Sequence, residues 1–356
     1  MITNTSDEAN IIAGGETMKR IFGLLASAIA IAAQSAPAQA QGEAAFFAGK
    51  TVSLVIGSGE AGVYDLGGRL MARYLKKYIP GAPTIVPRNM PGASSVVAAE
   101  YVYNVAPRDG LTISTVQPTV VLNKVLEPAA KYESGRFTWI GRLQPVVLVG
   151  IAWAQSGVSG VADARARAVI VSASGATGTS AIVPWALNQV AGTKFQVIRG
   201  YESQRPQFLA MERGEVNGVG SASLSDVLEN QDWAANGRIR YLYTIAQKRS
   251  HLLPDTPAIT ELATDEKDRQ VLALLGSVTD IGQTLMAPPG LPRERLATLS
   301  AAFDAMARDP ELIQEAKKLG IIVDPLSAAQ LSTLVNGVSD APADQVEKLR
   351  FITRPQ

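Results

Sequence analysis

The sequence predicts an α/β protein of two similar lobes with a cleft between them. Three observations carry that reading: strand-like and helix-like runs alternate, small-residue loops join each strand to the next helix, and the pattern occurs twice before a proline-rich stretch leads back. Alternation of this kind is the signature of βαβ units in a largely parallel sheet.

Thr51 to Ile56 is apolar and β-branched without polar interruption, as in a strand buried on both faces. It feeds the loop Gly57-Ser58-Gly59-Glu60-Ala61-Gly62, after which Leu66, Leu70, Leu75 and Tyr78 mark a helical stripe closed by Pro80-Gly81. Arg69, Arg73, Lys76 and Lys77 interleave with that stripe and read as its solvated face. Thr84 to Val86 is a second strand, followed by the loop Asn89-Met90-Pro91-Gly92-Ala93-Ser94-Ser95 and a helix over Val96 to Val105. Leu111 to Val116 is a third strand, and its loop, Gln117-Pro118-Thr119, again opens a helix. Three strand ends therefore face the same way, where ligands of open parallel sheets bind.

A second series starts at Val146 to Trp153 and continues with Ala168 to Ser172, the loop Ser174-Gly175-Ala176-Thr177-Gly178-Thr179-Ser180, and a helix over Ala181 to Ala191. Strands follow at Phe195 to Ile198, Val216 to Val219 and Ile239 to Ile245. Met286-Ala287-Pro288-Pro289-Gly290-Leu291-Pro292 reads as a stiff return crossing, ahead of helices over Arg293 to Arg308 and Pro310 to Lys318, a short strand at Ile321 to Val323 and a final helix from Ser327. Lobe one is expected at 41–145 plus 278–356 and lobe two at 146–277, joined by two strands that can hinge.

Composition narrows the function. Met18-Lys19-Arg20 followed by the apolar stretch Ile21 to Ala33 and Ala38-Gln39-Ala40 reads as a secretory signal over 1–40, cleaved after Ala40, with translation starting at Met18. Thirteen apolar residues are too few for a bilayer span, which needs about 20. The expected location is the periplasm, unanchored. With no cysteine and a single histidine, His251, in a loop-like segment, thiolate chemistry, disulfides, His-based triads and His-rich metal sites are excluded, so no metal and no cofactor are expected. A formal net charge of +1 offers nucleic acid no basic field.

Glycine-rich loops at helix starts expose the unpaired N–H groups and positive dipole end of the helix, which makes them anion sites. None of these loops ends in the Gly-Lys-Ser/Thr of a phosphate loop, which argues against a nucleotide and leaves a carboxylate among the anions they can hold. Hydroxyls clustered around glycine donate to a carboxylate or serve as caps and turn residues. Asp65 caps its helix, touches ligand, or does both; Asn89 holds its own turn or donates into the cleft.

With the segments Gly62-Val63-Tyr64-Asp65-Leu66-Gly67-Gly68-Arg69, Asn89-Met90-Pro91-Gly92-Ala93, Asn104-Val105-Ala106-Pro107-Arg108-Asp109-Gly110, Met211-Glu212-Arg213-Gly214-Glu215-Val216-Asn217-Gly218 and Ala287-Pro288-Pro289-Gly290-Leu291-Pro292 in order, the chain resembles the periplasmic solute-binding proteins of tripartite tricarboxylate transporters, the Bug proteins. The resemblance implies a type II periplasmic-binding-protein fold, a monomer without enzymatic activity, a small organic acid as ligand, and membrane permease subunits as partners. It also implies that backbone amides of the first two loops hold a ligand carboxylate and that Asp65 lies at the site. Departures are Glu60, an acid that would repel a dianion, Ser94 where a glycine is usual, and Asn217 where an acid is usual.

The candidate ligand-binding residues are Gly59, Ala61, Gly62, Tyr64 and Asp65 in the first loop, Asn89, Gly92, Ala93 and Ser94 in the second, Gln117 and Thr119 in the third strand's loop, Ser174, Thr177, Gly178 and Thr179 in lobe two, and Tyr201 and Ser221 beyond it. Two rival readings remain at this level: a ligand-sensing subunit for a signalling partner, and an exported enzyme using Glu60 and Asp65 as acid and base.

Overall fold

A computed structural model describes residues 41–126 and 129–355; the expected export signal lies outside the described residues. In chain order its strands are β1 (Thr51–Ile56), β2 (Thr84–Asn89), β3 (Thr112–Thr115), β4 (Thr138–Gln144), β5 (Leu148–Trp153), β6 (Val169–Ser172), β7 (Phe195–Ile198), β8 (Gly218–Ser223), β9 (Ile239–Thr244), β10 (Gln283–Ala287) and β11 (Leu326–Ser327). They form two sheets, ordered β11-β4-β10-β3-β1-β2 and β7-β6-β8-β5-β9. β1 pairs in parallel with β2 and β3, and β6 with β7 and β8, so each sheet presents a set of like-directed strand ends. This is the two-lobed type II fold.

The helices that follow those ends are α1 (Val63–Leu75), α2 (Val96–Asn104), α3 (Thr119–Leu126), α4 (Thr179–Ala191), α5 (Gln204–Glu212) and α6 (Leu224–Glu229). α1 buries Leu70, Met71 and Leu75 against Leu54, Ile56 and Ile113 of the sheet. Each such side chain contributes about 1.5–3 kcal/mol by leaving water. Arg73, Lys76 and Lys77 are exposed, as expected of a solvated basic face, but two of them are also paired. Arg73 pairs with Glu315, and Lys77 with Glu311 at 2.7 Å, so α1 docks on the later helix Pro310–Lys318.

Three differences from expectation have physical causes. Thr138–Gln144 forms a strand in the middle of the first sheet although Arg142 interrupts its pattern; that guanidinium is buried but donates to the Asp280 carbonyl at 2.6 Å and to Asp324. Met286 and Ala287 are buried strand residues of β10, so the return crossing lies earlier, in 277–282. Ile321–Val323 is not a strand; Ile321 plugs the core and the pairing passes to Leu326–Ser327.

The two crossings between the sheets are bonded to each other, Val146 N–H donating to the Thr279 carbonyl at 3.1 Å. Gly282 (φ 60, ψ −143) begins the return to β10, and a Cβ there would sit 2.1 Å from the Gln144 carbonyl oxygen. Next to it Gln144 Nε2 donates to Gln283 Oε1 at 3.0 Å, and Gln283 Nε2 to the Tyr64 carbonyl at 2.9 Å. The hinge is thus tied to the start of α1. The last helix, Ala343–Ile352, touches both halves: Lys348 pairs with Asp268 at 2.7 Å, and Arg350 Nε donates to the Val125 carbonyl.

Candidate functional site

The helices α1, α2 and α4 start at Gly62, Ser95 and Gly178, and at none of the three does a side chain cap the first amides. At α1 and α4 the first N–H groups and the dipole are left available to an anion, whereas the Val96 amide that opens α2 donates to the Ala93 carbonyl.

The first two loops are held by an acid behind them. Asp65, buried in the first turn of α1, accepts from Ala61 N–H at 3.0 Å, Arg69 Nε at 3.0 Å and Asn89 Nδ2 at 2.8 Å. Asn89 in turn donates to the Ser58 carbonyl at 3.0 Å and accepts from Arg69 Nη2 at 2.8 Å. Burial alone would raise the Asp65 pKa, but the bonds from Arg69, Asn89 and Ala61 outweigh it and hold the carboxyl below its ordinary value. Asp65 therefore stays ionised and braces the loop, with Ala61 fixed in a left-handed turn (φ 61).

The second loop is bent more sharply: Gly92, Ala93, Ser94 and Ser95 all have positive φ, at 139°, 44°, 52° and 73°. A non-glycine residue in this region costs about 1–3 kcal/mol and persists only where its surroundings dictate it. Ser95 supplies the constraint, donating from Oγ to the Gly57 carbonyl at 2.6 Å and accepting from Gln117 N–H at 3.0 Å. One buried hydroxyl thus joins all three loops of lobe one. Gly57 leaves room for it, since a Cβ there would lie 2.7 Å from Ser95 Oγ. The left-handed Ser94 explains why glycine suits that position.

Across the cleft, Ser180 Oγ accepts from Ser174 N–H at 3.2 Å, and Thr179 Oγ1 donates to Ser221 Oγ at 3.0 Å. Gln204 bridges the end of β8, accepting from Ser223 N–H at 3.1 Å and donating to the Ser221 carbonyl at 3.3 Å. The lobes meet closely here: a Cβ on Gly178 would be 2.7 Å from Ser94 Oγ of the other lobe. Thr177 is outside the lining, but its carbonyl reaches toward lobe one, 3.3 Å from the Asn123 amide when the nitrogen is oriented toward it.

Together these loops enclose a cavity of about 580 Å³, within the range of small-molecule sites. Of the sequence candidates, Gly59, Gly62, Tyr64, Gly92, Ala93, Ser94, Gln117 and Thr119 line it from lobe one. Ser174, Gly178, Thr179, Tyr201 and Ser221 line it from lobe two. Ala61, Asp65, Asn89 and Thr177 are not in the lining. The hydroxyls of Ser94 and Thr119 are buried without a protein partner.

Among the described residues no Lys or Arg lines the cavity, whereas Glu60, Glu202 and Asp226 do. Glu60 and Glu202 are exposed, and Glu60 adds a small part to the upward shift of the Arg69 guanidinium that the bond to Asp65 chiefly causes. Asp65 turns toward Arg69 rather than the cavity, so Glu60 and Asp65 form no acid–base pair. Asp226 is different: it is buried, and desolvation, then the neighbouring Glu229, push its carboxyl up to about 7. Among the described residues no group of three or more His, Cys, Asp or Glu could hold a metal, and exposed His251 is remote from the lining.

The sequence reading missed Ser203, Gln204, Gln207 and Asp226. A usable signal existed for the glutamines, which sit at one-turn spacing on the helix after the Tyr201 loop.

Residues 69–349 match the family described as tripartite tricarboxylate transporter family receptor. A UPF0065 protein of Bordetella bronchiseptica is 27% identical over 81% of this chain and 81% of its own length. MatC of Rhodopseudomonas palustris, solved with bound malate, superposes with a TM-score of 0.65 at 18% identity, covering 86% of this chain and 99% of MatC. The periplasmic binding protein BugD gives 0.67 at 18% identity, over 85% and 97% of the two chains.

Proposed function

The chain belongs to the tripartite tricarboxylate transporter receptor family, and from that membership we propose that it captures a small organic carboxylate between its lobes and delivers it to the membrane subunits of such a transporter. The observation that carries the reading is the cavity itself: the uncapped starts of α1 and α4, one from each lobe, open on it, and two buried hydroxyls in its wall have no protein partner. Backbone amides solvate a carboxylate without the desolvation cost of burying an Arg or Lys. Bound malate in MatC supports the ligand class.

The residues proposed to touch ligand are the thirteen sequence candidates in the lining, with Asp65, Ala61 and Asn89 acting as a brace behind them. Lobe limits of 41–145 with 278–356, and of 146–277, accompany this reading, the helix Ala343–Ile352 spanning the two. The protein works as a periplasmic monomer and catalyses no reaction on its ligand. Closure over the acid excludes water and adds the contacts of the second lobe; reopening at the permease releases it.

A thermal-shift screen of organic acids on the mature protein tests the proposal. A ligand at a hundredfold over its Kd stabilises the folded state by about 2.7 kcal/mol, a rise of several degrees. A panel in which only neutral sugars or cations raise Tm overturns it.

A further inference from the structure

The cavity's unusual group is Asp226. It sits in the first turn of α6, just beyond the end of β8, and forms part of the cavity wall while only 9% exposed. Among the described residues no hydrogen bond or ion pair reaches its carboxyl oxygens; only its main-chain carbonyl is engaged, accepting from Asn230 Nδ2 at 2.9 Å. The charges around it are of its own sign. Glu229, one turn on along the same helix, opposes its ionisation, and the phenol of Tyr64, which faces it from lobe one, has its own pKa raised by burial and by Asp226.

A buried carboxylate without a partner is costly, and proteins retain one where something arrives to pair with it. On the premise that the proposed function holds, the carboxylate end of the ligand is provided for by amides, while Asp226 supplies an acceptor that the amide loops lack. We infer that Asp226 selects the second end of the ligand, and that this end is a protonated amine: the preferred solute is an amino carboxylate rather than a dicarboxylate. Pairing the ammonium with Asp226 leaves both ends of the bound molecule balanced within a closed cavity. A second ligand carboxylate would instead meet like charge, unless Asp226 first took up a proton. Glu60 and Glu202 at the exposed rim add to the field that favours a cation.

The test uses the mature protein with two length-matched probe sets: β-alanine, 4-aminobutyrate and 5-aminovalerate against succinate, glutarate and adipate. Calorimetry at pH 7.5, in buffers of different ionisation enthalpy, reads both affinity and protons exchanged. The expected result is at least tenfold tighter binding of the best amino acid than of its matched diacid, with protons released on binding. Asp226→Asn is expected to reverse that preference, weakening the amino acid tenfold or more and strengthening the diacid. Diacids bound at least as tightly as amino acids by the wild type, with proton uptake, overturn the inference whether or not the variant folds; so does a preference that Asp226→Asn leaves unchanged. In those outcomes the carboxylate reading survives. Failure of every acid in both sets overturns both.

Discussion

Replacing Gly178 with alanine adds one methyl group at the point where the lobes come closest. The new Cβ would lie 2.7 Å from Ser94 Oγ across the cleft and 3.0 Å from Ser174 Oγ on its own side, against 3.4 Å for ordinary contact. Nothing else at the site resists the change, because Gly178 has φ −80 and ψ 151, a conformation alanine adopts freely, and it caps α4 without a side chain. The 3.0 Å contact with Ser174 Oγ lies within lobe two and needs a small shift in either form, whereas the 2.7 Å clash with Ser94 Oγ falls on the closed arrangement alone, where overpacking costs about 1–3 kcal/mol. Opening the hinge relieves that clash. Ligand binding, which requires closure, should weaken about 5- to 150-fold, while the Tm of the unliganded protein stays within a few degrees of wild type. Titration calorimetry with whichever acid shifts the wild-type Tm, alongside thermal unfolding without ligand, reads both quantities. A Kd equal to wild type would refute the reasoning, because it would mean that Ser94 and Gly178 do not approach each other in the liganded form.

Asp65→Ala should lower the unfolding free energy by about 2–4 kcal/mol, since it strands Arg69, Asn89 and the Ala61 amide at once; partial exposure of Arg69 keeps the loss toward the low end of a buried-pair deletion, and urea unfolding measures it. Gly282→Ala should cost about 2 kcal/mol or more, because the backbone atoms of Gln144 and Pro145 that its Cβ meets cannot rotate away; an unchanged urea midpoint would show that the crossing is not fixed there. The raised Asp226 pKa makes stability depend on pH in a defined direction. The carboxyl is neutral in both states below its unfolded value of 3.8, so stability is full there, and it is lost as pH rises from about 4 to about 7, by up to about 4 kcal/mol. Asp226→Asn should remove that slope from the unliganded protein; a slope the variant retains would place its origin elsewhere.

The frame of the fold could be read from the sequence wherever burial left an uninterrupted chemical signature. Thr51–Ile56 and Val169–Ser172 are apolar because both faces of each strand are covered, and the loops after them are small because helix starts must stay open. β4 escaped because Arg142 looks like a surface residue until Asp324 and the Asp280 carbonyl, more than a hundred positions away, are seen to satisfy it. The site divides in the same way. Glycine and hydroxyl positions marked the cavity, but sequence cannot tell which side of a loop a polar residue occupies, so for Asp65 and Asn89 contact and structural support stayed open; their mutual bonds brace the loop and both lie outside the lining. Glu60, the conspicuous misfit in the sequence, is an exposed rim residue, and Asp226, within the unremarkable run Leu224–Glu229, is a buried acid of the cavity wall whose charge is felt by Tyr64 of the opposite lobe.

The central claim is that a carboxylate is held by the converging loop amides of both lobes. Titration calorimetry of the mature protein with the best-shifting acid and with the carboxamide of the same skeleton isolates that group, since the two differ in charge and hardly in size. Saturable one-to-one binding of the acid, with the amide at least a hundredfold weaker, is the predicted result. Equal affinity for the two would contradict it.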